Sequence, residues 1–146
     1  RMGWEGRIAG VFEPGQLCPA VGQGALAIEC RSRDERVRGI CSRLDNEPTR
    51  LAVTAERALL AALGGGCQVP LGAHAHLAGG ALHLRAIVLS PDGGRWVDGE
   101  ISGAPSEAVT LGKRLARRLL DAGAAAILRE VYGTKAEGLS GGGGSG

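Results

Sequence analysis

From Cys67 to Leu77 the hydrophobic positions recur at every second residue: Cys67, Val69, Leu71, Ala73, Ala75 and Leu77 alternate with Gln68, Pro70, Gly72, His74 and His76. A side-chain period of two belongs to a strand buried on one face. Gly79-Gly80 suits a tight hairpin into a second strand, Ala81 to Leu89, and Pro91-Asp92-Gly93-Gly94 is a turn into a third near Arg95 to Ser102. On both sides of this meander the spacing is helical. Arg50 to Leu63 forms the strongest helix, stopped by Gly64-Gly65-Gly66 and preceded by Asp45-Asn46-Glu47-Pro48, which supplies its caps. After the third strand, Ser106 is placed to cap a helix whose apolar stripe is Ala108, Leu111, Leu115 and Leu119, with Lys113, Arg114, Arg117 and Arg118 facing out; Gly123 breaks it and a shorter helix runs to Tyr132. Residues 46–132 therefore read as an α+β unit, a three-stranded antiparallel sheet with helices packed on one face.

Residues 1–45 read differently. Gly24 to Cys30 (GALAIEC) is a short apolar run of strand length after a Gly-Gln-Gly turn, and Val37, Ile40, Cys41 and Leu44 make the stripe of an amphipathic helix from Asp34. At the other end, residues 133–146 read as a flexible tail, whose Gly/Ser-rich part from residue 138 has nothing to bury. Arg1-Met2 enters apolar sequence without a polar leader, so the chain is expected to begin inside a larger protein.

Composition narrows the chemistry. With 146 residues, 44% of them hydrophobic but only four aromatic (Trp4, Phe12, Trp96, Tyr132), the core must be built from Leu, Val, Ile and Ala. Stacking platforms for bases are not available. A net charge of +2 is too small for general affinity to nucleic acid or an anionic membrane, and no stretch reaches the ~18 apolar residues of a span. Arginine outnumbers lysine fifteen to two, which reflects either coding bias or a need for forked recognition of carboxylates. Cys18, Cys30, Cys41 and Cys67 lack C-x-x-C spacing and point to reduced thiols in a cytoplasmic compartment.

Three constellations could carry chemistry. Gly22-Gln23-Gly24-Ala25-Leu26-Ala27 satisfies G-x-G-x-x-A, with Asp45 downstream, but a dinucleotide fingerprint needs a strand before the glycines and a helix at them. The alternatives are a plain loop, or one that presents backbone N–H groups and Gln23 to another anionic ligand. Cys67 follows three glycines at the junction of a helix end with a strand, where something bulky could approach the sulfur; a helix C-terminus does not activate a thiol, so attachment fits better than turnover, and a simply buried thiol is the plain alternative. His74 and His76, with His83 across the hairpin, lack a visible fourth ligand and read as solvated strand residues rather than a metal site.

LCPAVGQGALAIECR (residues 17–31), VTAERALLAAL (53–63) and GGCQVPLGAHA (65–75), in this order, closely resemble the hydroxymethylbilane synthase (porphobilinogen deaminase) family of tetrapyrrole and heme biosynthesis. The similarity continues through LRAIVLSPDG, the GAPSEA turn and the final helices, over about residues 1–132. The resemblance implies two α/β domains of periplasmic-binding-protein type followed by a small α+β domain. It also implies a transferase that joins four porphobilinogen molecules head to tail on a dipyrromethane cofactor, with loss of ammonia at each step. On this reading residues 1–45 hold segments of the α/β domains, the end of the second and a strand returning to the first. The chain would then be the C-terminal part of the enzyme.

Carried over residue by residue, Cys67 matches the cysteine that holds dipyrromethane as a thioether, Arg1 a carboxylate-binding arginine, and Gln23 and Gly24 the loop that contacts the pyrrole chain. No residue here matches the family's catalytic aspartate, so the chain alone is expected to be inactive. The implied partners are porphobilinogen and the growing polypyrrole, with a monomeric parent in the cytoplasm. The competing expectation is a non-enzymatic α+β interaction domain in which Cys67 is merely buried.

Overall fold

The computed structural model describes residues 3–65 and 69–140, the last eight of these by their backbone alone. Its centre is the expected meander: β1 (Leu71–Ala78), β2 (Ala81–Leu89) and β3 (Trp96–Gly103) form one antiparallel sheet in the order β1-β2-β3. Gly79 and Gly80 both take positive φ, +57° and +78°, which a two-residue hairpin turn of matching twist requires. The turn fixes the register: Ala75 faces Leu84, and Leu84 faces Ile101.

Period two then sorts the side chains. Ala73, Ala75, Leu82, Leu84, Ala86, Val88 and Ile101 point to one face and are buried. Two helices cover that face, α2 (Glu47–Ala62) through Ala55, Leu59 and the following Leu63, and α3 (Ala108–Leu119) through Leu111, Leu115 and Leu119. As the composition requires, the core cluster contains no aromatic residue. Glycines on β3 make room for the leucines of α3: a Cβ on Gly99 would lie 3.3 Å from Leu115 and Leu119, and one on Gly103 2.9 Å from Leu111. Lys113, Arg114, Arg117 and Arg118 face outward as expected.

Element ends depart from the sequence reading where local chemistry decides them. Helix α2 starts three residues before Arg50, because the Asn46 side chain accepts the Thr49 N–H at 3.0 Å and Pro48 is preset for the first turn. Ser106 does not cap α3. Pro105–Glu107 already forms a 3-10 turn continuous with the helix, the N-cap position falls on Glu107, and no side chain bonds the first amides. Beyond α3 the chain bends at Gly123, φ +115°, and α4 (Ala125–Ser140) runs past Tyr132 into the segment expected as tail. Residues 141–146 lie outside the described residues.

The largest correction is in the first 45 residues. Gly24 to Cys30 is not a strand: residues 25–30 have no regular structure, and Leu26 is 87% and Ile28 57% exposed. An apolar run becomes a strand only beside a sheet edge. Among the described residues of the region the one bridge, Ala20 to Gly72, lies before it. The expected helix does form as α1 (Glu35–Cys41), capped by Asp34 and followed by a 3-10 turn, Ser42–Leu44; its stripe residues Val37, Ile40 and Leu44 remain exposed. In this chain the amides of Ala25 to Ile28 are therefore expected to exchange with solvent orders of magnitude faster than those of Ala73 and Leu84. Hydrogen exchange finding equal protection would show that residues 24–30 have found a strand partner.

Candidate functional site

Helix α2 ends in two glycines of positive φ, Gly64 at +111° and Gly65 at +59°, and the Gly65 N–H returns to Leu60 O at 3.0 Å. This left-handed stop turns the chain sharply. The Tyr132 hydroxyl closes one side of the turn, lying 2.9 Å from where a Cβ on Gly64 would stand. The chain reappears at Val69-Pro70, whose carbonyls accept from Leu71 and Leu89 at 2.8 and 3.1 Å, and enters β1. Cys67 and Gln68 lie between these ends and, like Arg1, fall outside the described residues.

Alongside β1 runs the Pro19-Ala20 segment that leads into V-G-Q-G-A. Ala20 bridges Gly72, and Ala73 donates its N–H to Pro19 O at 2.8 Å. Gly72 is glycine for a steric reason, since a Cβ there would meet Cys18 O at 3.0 Å and an Ile87 methyl at 3.2 Å. The packed Cys18 thiol is pushed up in pKa by burial, against a smaller downward pull from Arg85. Glu56 fixes the rest of the turn. Its carboxylate, on a residue only 5% exposed, accepts the Gly22 N–H at 2.7 Å through one oxygen and the Ala75 N–H at 2.7 Å through the other. One side chain thus joins α2, the outer edge of β1 and the 20–24 turn. No sequence argument assigned it a role. The signal was present, because Glu56 sits on the buried stripe of α2 between Ala52, Ala55 and Leu59, where an acid has no place unless it is bonded.

The turn itself is mostly self-satisfied. Gln23 N–H donates to Ala20 O, Ala25 N–H to Gly22 O, and the Gln23 side-chain oxygen accepts from Ala20 N–H at 3.0 Å. No open nest of amides remains for an anion. Gln23 is exposed, its carboxamide nitrogen outside the bond that its oxygen accepts, and beside it is the bare backbone of Gly24, which has φ +84° and nothing within 4 Å of a would-be Cβ. No helix starts at these glycines, which removes the dinucleotide reading. The structure thus brings Gln23 and Gly24 onto the flank of β1, the strand that follows the Cys67 loop.

The histidines sit on the uncovered sheet face. His76 is stacked between His74, with centroids 5.4 Å apart, and His83, at 5.2 Å. Stacked rings keep their nitrogens in near-parallel planes, and the described residues contain no group suited to hold a metal ion. No helix among the described residues is long and apolar enough to cross a membrane.

Known proteins are similar to this chain over most of its length. Residues 50–121 match the family model "Porphobilinogen deaminase, C-terminal domain". Residues 1–39 match "Porphobilinogen deaminase, dipyromethane cofactor binding domain". A curated porphobilinogen deaminase from Syntrophobacter fumaroxidans is 45% identical over 132 residues, 90% of this chain, and the chain spans 43% of that relative's length.

Proposed function

The chain belongs to the porphobilinogen deaminase family, and we propose that it forms the cofactor-anchoring portion of a hydroxymethylbilane synthase. The proposed enzyme condenses four porphobilinogen molecules into hydroxymethylbilane and releases ammonia at each step, as a cytoplasmic monomer. Its family binds a dipyrromethane cofactor. In this reading Cys67 holds that group as a thioether, Gln23 and Gly24 line its path, and Arg1 receives a ring carboxylate through a forked guanidinium.

The observation that carries the proposal is the bond pair of Glu56, which ties the Gly22 turn to β1 immediately after the Cys67 loop. A tethered chain that leaves Cys67 needs a fixed wall beside it, and the Gln23 amide with the open backbone at Gly24 supplies one. These groups fit an acidic oligopyrrole: the carboxamide nitrogen of the exposed Gln23 is a donor for a carboxylate, and Gly24 lets a flat ring approach the backbone. Two left-handed glycines, Gly64 and Gly65, precede the Cys67 loop and bring no side chains to it. When bound, the cofactor supplies the primer pyrrole to which substrate is joined. The chain's own residues hold and orient it. The three described cysteines are free and partly buried, which suits a reducing compartment.

In an intact deaminase carrying this sequence, Cys67→Ser is expected to give protein without the dipyrromethane mass and without the pyrrole colour reaction, while Cys41→Ser keeps both. The 146-residue chain alone is expected to release no hydroxymethylbilane from porphobilinogen, since a missing general acid costs about 10²–10⁴ in rate before any lost binding is counted. Intact-mass measurement of the two variants decides the matter. Cofactor retained by Cys67→Ala, which has no nucleophilic side-chain atom at that position, would move the anchor elsewhere, and an intact parent with no dipyrromethane mass at all would leave the interaction-domain reading in its place.

A further inference from the structure

A cavity of about 810 Å³, within the range that small ligands occupy, is lined by the sheet, the amino-terminal segment and α3, and it reaches Leu84 and Ile101 of the helix-covered face as well as the histidines of the other. Cations converge on it from three elements: Arg85 with His74, His76 and His83 from the sheet, and Arg114 and Arg118 from α3. The strand register makes the cluster, since His74 is opposite Arg85 and His76 opposite His83.

Among the described residues none of these three arginines forms an ion pair. Arg85 donates to Gly15 O at 3.3 Å, a single weak bond to a neutral carbonyl. Acidic groups are not absent. Glu13 and Glu100 line the same cavity, and Glu100 is opposite Arg85 in the register, yet neither pairs with a guanidinium. Three forked cations and three imidazoles around a concave space, against two carboxylates that do not neutralise them, form a receptor for negative charge.

We propose that this cavity binds a small polyanion carrying two or more carboxylate or phosphate groups. The site is separate from the turn that bears Gln23 and Gly24, and it does not depend on the function proposed above. Its size favours a small molecule over a macromolecule, as does the chain's modest net charge of +2.

Binding is pH-dependent, with a definite sign. His76 is held below the ordinary imidazole pKa first by burial and then by its neighbours His74 and His83. An anion in the cavity offsets that repulsion, so binding takes up protons, and affinity rises as pH falls through the histidine range. Glu13 and Glu100 from the amino-terminal segment and β3, and Arg85, Arg114 and Arg118 from β2 and α3, face the same cavity. Proton uptake at His76 gives the pH dependence its sign.

The test uses the 146-residue chain at low ionic strength, with citrate and pyrophosphate as separate probes, followed by calorimetry and by the NMR signals of the histidine rings. At least one probe is expected to shift the His74, His76 and His83 signals and to bind roughly tenfold tighter near pH 5.5 than near pH 8. Tighter citrate binding identifies carboxylates as the natural ligand groups, and tighter pyrophosphate binding identifies phosphates. Arg118→Gln and His76→Asn, both exposed, should each weaken binding several-fold while leaving the ligand-free melting curve unchanged, and Arg43→Gln, outside the cavity, should leave affinity as it was. The proposal is overturned if neither anion moves the histidine signals, or if Arg43→Gln weakens binding as much as Arg118→Gln.

Discussion

Glu56→Leu is expected to destabilise the fold by about 3 kcal/mol, because it leaves two amides without an acceptor and each buried unsatisfied donor costs about 1–3 kcal/mol. The leucine itself fits the stripe of α2. The loss lies in the Ala75 N–H on the outer edge of β1 and the Gly22 N–H in the turn, both of which bond the carboxylate at 2.7 Å. For a domain of this size the change lowers the melting temperature by roughly 10–20 °C. Glu56→Gln keeps one acceptor but turns an NH₂ toward the second amide, so an intermediate loss is expected. Glu47→Gln on the same helix removes only an exposed pair with Arg50 at 3.6 Å and should change stability by less than about 1 kcal/mol. Thermal melts of the three variants, with the exchange rate of the Gly22 amide, test the argument. A Glu56→Leu protein that melts with the parent, its Gly22 amide still protected, would show that the carboxylate ties nothing together.

The Glu56 bonds also mark where sequence reading reached its limit. Alternation from Val69 to Leu77, the Gly79-Gly80 turn and the stripe from Ala108 to Leu119 are local patterns, and local patterns made the sheet, both covering helices and the core composition legible. The resemblance named the family and pointed to the turn at Gln23 and Gly24. What stayed hidden depends on contacts distant in sequence. Apolarity in Gly24 to Cys30 signals a wish for burial without naming a partner, and the structure shows those side chains in solvent. Glu56 was visible as a misplaced acid, but its two partners are 34 residues before it and 19 after it. Ser106 looked like a cap because serine favours that position; Pro105, which starts the turn one residue earlier, decided otherwise. The arginine cavity was equally illegible, since Arg114 and Arg118 read as a solvated helix face until the fold set them around the same cavity as Arg85.

Gly112 presents the same problem in its sharpest form, a glycine inside a helix that propensity alone would replace. Alanine at an open helical position is worth about 1 kcal/mol over glycine, so Gly112→Ala should stabilise α3 if nothing were near. Something is near. A Cβ at residue 112 would collide with Ala55 O and stand 2.8 Å from the Ala58 Cβ and 2.8 Å from Leu59 N, and two of those three atoms are backbone of α2. Backbone cannot rotate aside, so the helices must separate, and separation loosens Leu59 and Leu115, both fully buried at their junction. Overpacking of this kind costs about 1–3 kcal/mol, occasionally more, and here it acts where the two covering helices cross. Gly112→Ala is therefore expected to lower stability by about 3 kcal/mol, with larger residues preventing the fold. Gly39→Ala provides the contrast, because Gly39 is helical in α1 with nothing within 4 Å of its would-be Cβ. That substitution should leave stability unchanged or slightly raised. Urea unfolding of the two alanine variants separates propensity from packing: if Gly112→Ala is as stable as Gly39→Ala, the helices are not in the close contact that sets the spacing of this core.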